Sequence, residues 1–219
     1  MSDEYTKGIA FIMEGATEKV FYRSFLQWLA DNNEGCSFDK IDNLDIGEIA
    51  FEWKFGKESV LIKFNVVGTV TQIIHSGKWF ANTCAKKYKI PWHVFLCYDT
   101  DSPDKDISKF YEDDWKLLRD ELKKAKAKGI VDLAASADIE DVMLVDLEGI
   151  CKYLGISMPT ELKGRKGKAK MKALYRSCGN TYHEGEKTAD MVKKLDFQKI
   201  IDEGPIDLHR LENEIKHNM

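Results

Sequence analysis

Little in this chain is there to staple it, anchor it or leave it unfolded. Only 4 of its 219 residues are proline, and no tract is of low complexity, which argues against long disordered stretches. Its five cysteines, Cys36, Cys84, Cys97, Cys151 and Cys178, are scattered and odd in number. They lack Cys-x-x-Cys spacing, so a disulfide framework or zinc ribbon finds no support. Cys84, Cys97 and Cys151 sit among apolar residues and read as core. The histidines never form His-Glu-x-x-His, and no Gly-x-Ser-x-Gly elbow supports a serine hydrolase. No apolar run approaches the roughly 20 residues that span a bilayer, so no membrane association is expected. The first residues, Met1-Ser2-Asp3-Glu4-Tyr5, lack the basic start and apolar core of a signal peptide, and a cytoplasmic protein is expected.

What is present is ordinary globular material, 43% hydrophobic and 32% charged. The net charge is −4, but it is unevenly spread. Residues 163–176 carry seven bases and no acid, whereas residues 99–114 carry seven acids and two bases. Each alone is most simply a solvated face. Together they suit an enzyme that holds metal in one place and a polyanion beside it.

The chain is organised around Phe95-Leu96-Cys97-Tyr98-Asp99-Thr100-Asp101-Ser102. The apolar run has the length of a buried strand and ends in two aspartates one residue apart. Alone, Asp-Thr-Asp-Ser-Pro-Asp is more often a turn. At the carboxyl end of a parallel strand, where ligands bind, two carboxylates call for a hard cation such as magnesium. A second run, residues 8–13, ends at Glu14-Gly15 and precedes a helical face through Val20, Phe21, Phe25, Trp28 and Leu29. Glu14 thus stands at another strand end. Glu18, in the first helical turn, has a dipole-favoured place there.

Residues 32–57 read as an insertion, with the alternating Phe51, Trp53 and Phe55 suggesting an edge strand or hairpin. Strands are predicted over 59–67, 92–98 and 130–135, and helices over 68–88, 112–128 (stopped by Gly129) and 142–153 (broken near Asp146, capped by Gly155). Asp138, Glu140 and Asp141 follow the last of these strands. Strand–helix alternation predicts an α/β protein with a parallel sheet flanked by helices. The core spans residues 1–155, and a basic helical extension, residues 156–219, is expected to pack on it.

These residues carry a resemblance. Phe11-Ile12-Met13-Glu14-Gly15-Ala16-Thr17-Glu18 resembles the Glu-Gly-x-Thr-Glu signature that opens Toprim domains of the overcoming-lysogenisation-defect (OLD) nuclease type, and the strand ending in Asp99-Thr100-Asp101 resembles the Toprim Asp-x-Asp motif. Ser136-Ala137-Asp138-Ile139-Glu140 is loosely similar to the Ser-x-x-x-Glu segment of small Toprim proteins of phage defence. The resemblance implies a Toprim-like fold and a metal-dependent nuclease or related phosphodiester-processing enzyme, with DNA or RNA as partner and Mg2+ or Mn2+ as cofactor. Glu14, Asp99 and Asp101 would be catalytic. The same three, with Glu140, would hold metal. Lys163, Arg165, Lys166, Lys168, Lys170, Lys172 and Arg176 would grip nucleic-acid phosphates. The chain has no Gly-x-x-x-x-Gly-Lys-Ser/Thr loop, unlike the larger OLD nucleases. The alternative is a non-catalytic Toprim-like module binding nucleic acid, nucleotide or protein. Primase-like nucleotidyl transfer, a partner protein and a homo-oligomer also stay open.

Overall fold

The computed structural model describes residues 5–42, 47–68, 72–73, 75–100, 113–135 and 137–216. Six strands form one sheet: β1 (Lys7–Met13), β2 (Cys36–Lys40), β3 (Ile49–Phe55), β4 (Glu58–Val66), β5 (Trp92–Asp99) and β6 (Gly129–Ala135), in the order β2-β3-β4-β1-β5-β6. β4, β1, β5 and β6 run parallel, while β2 and β3 add an antiparallel edge. The sheet is therefore mixed rather than wholly parallel. Residues 32–57, read as an insertion, extend the sheet itself. The alternation at 51–55 has its reason here: Phe51 and Trp53 turn inward, while Lys54 faces solvent.

β1 lies at the centre because its residues are apolar on both sides. Ile9, Phe11 and Met13 face one layer, Ala10 and Ile12 the other. Phe11 packs on Phe64, Phe95 and Tyr22 with ring centroids 5.1–5.6 Å apart. Burying one such ring contributes about 2–3 kcal/mol.

The first layer holds α1 (Ala16–Asp31), α4 (Ile139–Met143), α5 (Leu147–Leu154), α6 (Gly167–Ser177), α7 (Ala189–Val192), α8 (Phe197–Glu203) and α9 (Leu208–Lys216). α4 passes through a 3-10 turn, Leu144–Asp146, into α5, which ends on Gly155 in the left-handed conformation (φ 67°). The C-terminal helices share the core of α1. Phe197 of α8 meets Phe21, Phe25 and Trp28 at 5.6, 5.8 and 5.9 Å.

The second layer holds α2 (His75–Trp79) and α3 (Asp113–Lys124). Within the stretch 68–88, expected to be helical, the described part changes pitch. α2 runs into a π-helical turn, Phe80–Ala85, in which the Lys86 amide donates to Ala81. The Thr83 carbonyl there accepts from the buried Lys63 ammonium at 3.0 Å. α3 ends before Gly129, which begins β6. The chain turns at Lys126, itself left-handed (φ 65°), with the Ala127 amide donating to Leu122. No helix among the described residues is long and apolar enough to cross a membrane.

Candidate active site at the carboxyl edge of the sheet

From β1 the chain crosses by α1 to β4 on one side, having added β2 and β3, then returns to β5 on the other. Strand order therefore reverses at β1, and the crevice outside the ends of β1 and β5 is where open α/β sheets bind ligands. Met13 is in register with Cys97, and the Glu14 amide donates to the Cys97 carbonyl at 3.2 Å. Glu14 and Asp99 therefore leave the same edge of adjacent strands. A cleft of about 520 Å³ opens there. Glu14, Glu18, Asp99, Glu140, Lys168 and Glu184 are among its walls. Asp101 lies outside the described residues, as does Ser136.

Each acid has its own mooring. Gly15 caps α1, and Glu18, three residues on, folds its carboxylate back onto the Gly15 and Glu18 amides in the manner of a capping box. A Cβ on Gly15 would lie 2.7 Å from Glu18 Oε2, so a larger residue there would push the Glu18 carboxylate aside. Burial, aided by Glu14 and Glu140, lifts the Glu18 carboxyl to about 7. Glu140, also buried, accepts a 2.8 Å hydrogen bond from the Tyr182 hydroxyl, and desolvation lifts it to about 7. Asp99 is pushed up to about 9, by burial first and then by Glu18, Glu14, Glu140 and Asp138. Its Oδ1 is buried without a hydrogen-bond partner.

Asp138 and Asp141 serve a different end. Asp138 caps α4 through the Asp141 amide and also accepts from the Lys168 amide at 3.1 Å. Asp141 accepts from the Gly167 amide at 2.8 Å and from Lys170 Nζ at 2.7 Å. Both carboxylates thus cap the start of α6. A Cβ on Gly167 would lie 2.1 Å from the Asp141 amide, so this glycine lets α6 seat against α4. Beside them Ala137 is left-handed (φ 68°), its amide donating to Thr100 Oγ1 at 2.9 Å, and Thr100 in turn ties the ends of β5 and β6 together.

The basic tract is divided by the fold. Lys168 pairs with Glu184 at 2.6 Å, and Lys172 approaches the same carboxylate at 4.0 Å. That carboxylate holds the Lys168 ammonium above its ordinary value. Lys170 is taken by Asp141. Lys163, Arg165 and Arg176 are exposed, and Lys166 is half-buried at the N-cap of α6. The seven bases expected to act as one phosphate-gripping run are therefore not equivalent, because intramolecular acids already engage Lys168, Lys170 and Lys172.

The donor set of the cleft is oxygen only, which suits a hard cation, and the orphaned Asp99 Oδ1 is the kind of atom a cation would satisfy. Among the described residues, however, no group of three or more His, Cys, Asp or Glu side chains is disposed as a ready metal cage. Asp138 and Asp141 spend carboxylate oxygens on the amides that begin α4 and α6.

Sequence reasoning missed Tyr182 and Glu184, which arrive from a segment over 40 residues beyond β6 and carry no local signal. It assigned Glu18 only to the helix dipole, although the Glu-Gly-x-Thr-Glu spacing already placed it one turn from Glu14.

No family model and no curated protein matches this chain. Among solved structures, a hypothetical protein from Pyrococcus horikoshii OT3 is similar over 95% of this chain and 94% of its own, at 14% identity and a TM-score of 0.47. A futalosine hydrolase mutant of Helicobacter pylori strain 26695 aligns over 91% of this chain and 99% of its own, at 10% identity and a TM-score of 0.26.

Proposed function

We propose that this protein is a metal-dependent nuclease, or a related phosphodiester-processing enzyme, acting on DNA or RNA. One observation carries the reading: Asp99, with a buried and unpartnered Oδ1, shares with Glu14, Glu18 and Glu140 a cleft at the point where strand order reverses. Asp99 and Glu14, with Glu140 and Asp101, would hold Mg2+ or Mn2+. When bound, the cation supplies Lewis-acid stabilisation of the phosphoryl oxygens and a more acidic water.

The chain's own groups account for the rest. Hydrolysis joins a water hydroxyl to phosphorus, breaks one P–O bond and leaves a proton for the departing oxygen. Glu18, at about 7, is suited to take a proton from water near neutral pH. Glu140, one of the acids that would hold the cation, is steadied by the Tyr182 hydroxyl. Lys168 stands at the rim, where an ammonium offsets phosphate charge.

A second reading has its own support. The acids are moored separately, without a ready cage among the described residues, and Lys168 is already paired. That arrangement also suits a Toprim-like module that binds nucleic acid without cutting it. A role in phage defence rests on the resemblance alone.

The test is incubation of the purified protein with plasmid, single-stranded DNA and RNA in magnesium, manganese or EDTA. Cleavage that needs the metal and disappears in Asp99→Asn supports the enzyme. Binding without cleavage under every metal condition replaces it with the module.

A further inference from the structure

Glu184 stands between two lysines of α6. It lies on the cleft rim, contributed by the loop before the 3-10 turn Gly185–Thr188, and its two oxygens are divided between two lysines: Oε2 faces Lys168 Nζ at 2.6 Å and Oε1 faces Lys172 Nζ at 4.0 Å. All three side chains are almost half exposed, so the arrangement is open to competition from solvent. A phosphodiester group presents the same pattern, two anionic oxygens to two ammonium groups.

The cations continue in line. Lys168, Lys172 and Arg176 are four residues apart on α6, on the flank away from Met171 and Leu174, which are buried in the core. They span about 12 Å of helix, the length over which a stacked strand sets out roughly three to four phosphates. Lys172 and Arg176 also border a shallow recess of about 330 Å³ with Asn180, Thr181 and Tyr182. Tyr182 joins that recess to the cleft, since its hydroxyl donates to Glu140. Recess and cleft thus meet at the buried Tyr182–Glu140 contact, with Glu184 and Lys168 lining the cleft and Lys172 and Arg176 the recess.

We propose that the Lys168–Lys172–Arg176 stripe is the track for a single strand of nucleic acid leading out of the cleft, and that Glu184 occupies its first phosphate position in the free protein. The strand is single because Glu18 and Glu140 are buried at the cleft floor, and a phosphate must bend inward to meet them. A flexible strand does so readily, whereas a duplex is stiff over so short a length. The inference deepens the nucleic-acid reading of this cleft but does not depend on cleavage or on metal.

The test is fluorescence anisotropy of a labelled oligothymidylate in EDTA across a salt titration. Glu184→Gln frees both lysines and should tighten binding roughly two- to fivefold, the range that a partly exposed ion pair converts to. Lys172→Gln with Arg176→Gln should weaken binding and reduce the slope of log affinity against log salt by about 1.4, two contacts at about 0.7 each. Lys123→Gln with Lys124→Gln, an equal charge change on α3 in the other layer, should leave the slope unchanged. Melting curves matching the wild type show that the folds are intact, and Glu184→Asp, which keeps the charge, should not tighten binding. Unchanged or weaker binding by Glu184→Gln overturns the phosphate-site assignment. An equal loss in the α3 control overturns the track, and tighter binding of a matched duplex than of the single strand overturns the substrate class. A wild type that binds and never cleaves would fail the nuclease reading while leaving this one standing. Cleavage by a protein indifferent to both sets of variants would do the reverse.

Discussion

Two of the places where the sheet buries charge treat it in opposite ways. Beside β3 and β4, Lys63 is 1% exposed, yet its ammonium meets Glu48 at 2.7 Å and the Thr83 carbonyl at 3.0 Å. A π-helical turn supplies that carbonyl, so the backbone departs from regular helix where the charge needs a partner. At the carboxyl ends of β1 and β5, acids are gathered among acids, and Asp99 keeps an unpartnered oxygen. The first pair is structural, and the proposed metal site gives the second an account: a cation would meet the oxygen left unpartnered.

The comparison can be broken most forcefully at Lys63. Lys63→Met removes the cation and leaves Glu48 poorly compensated. Stability should fall by about 3 kcal/mol, the lower end for a broken buried pair because Lys87 stays 3.4 Å from Glu48. Urea denaturation measures this, and a loss under 1 kcal/mol would mean that the pair is not what holds the edge strands.

Asp99→Asn should act oppositely. Without metal at pH 8 the melting temperature should rise by about 2–4 °C, what ~1 kcal/mol yields in a chain of this size. Stabilisation by magnesium should vanish, and cleavage should fall at least about a hundredfold. A lower melting temperature would show that Asp99 is a satisfied turn residue.

The pH dependence sharpens the contrast. Asp99 at about 9 and Glu18 and Glu140 at about 7 all stand above ordinary carboxyl values, so the folded protein holds more protons than the unfolded chain from about pH 4 upward. Stability of the metal-free protein should therefore fall as pH rises from about 4 towards 9, and be greatest on the acid side. Melting curves across that range, repeated with Asp99→Asn, should show a shallower fall in the variant.

The smallest effect belongs to Ala137. Its left-handed backbone costs a residue with a side chain roughly 1 kcal/mol, partly offset by the entropy that glycine loses on folding. Ala137→Gly should stabilise by at most about 0.5 kcal/mol. A marked loss would show that the methyl group matters more to packing than its backbone does to strain.

Much of this arrangement was legible in advance where local pattern and burial agree. The helix over 16–31 followed from its apolar spacing, and the break at Asp146 and cap at Gly155 were visible because turn chemistry is local. The ends of β1 and β5 could be placed because apolar runs stop abruptly at acids. The mixed edge was less plain, since residues 32–57 alternate like a strand without revealing which sheet they join. The π-helical turn has no signature of its own, and its contact with Lys63 comes from another element. The assignment of Asp138 and Asp141 to α6, and the arrival of Tyr182 and Glu184, depend on packing between distant segments.

Gly167 carries a further consequence. Its bare α-carbon lets α6 sit on α4, so two carboxylates at the start of α4 also cap the start of α6. The cleft wall and the helix bearing the cations are therefore a single joint. A chimera that grafts residues 156–216 onto a related sheet, or trims them away, would not transfer or delete a tail. It would uncover the ring cluster around Phe197 and strip α6's first amides of their acceptors, giving an insoluble fragment rather than a minimal enzyme.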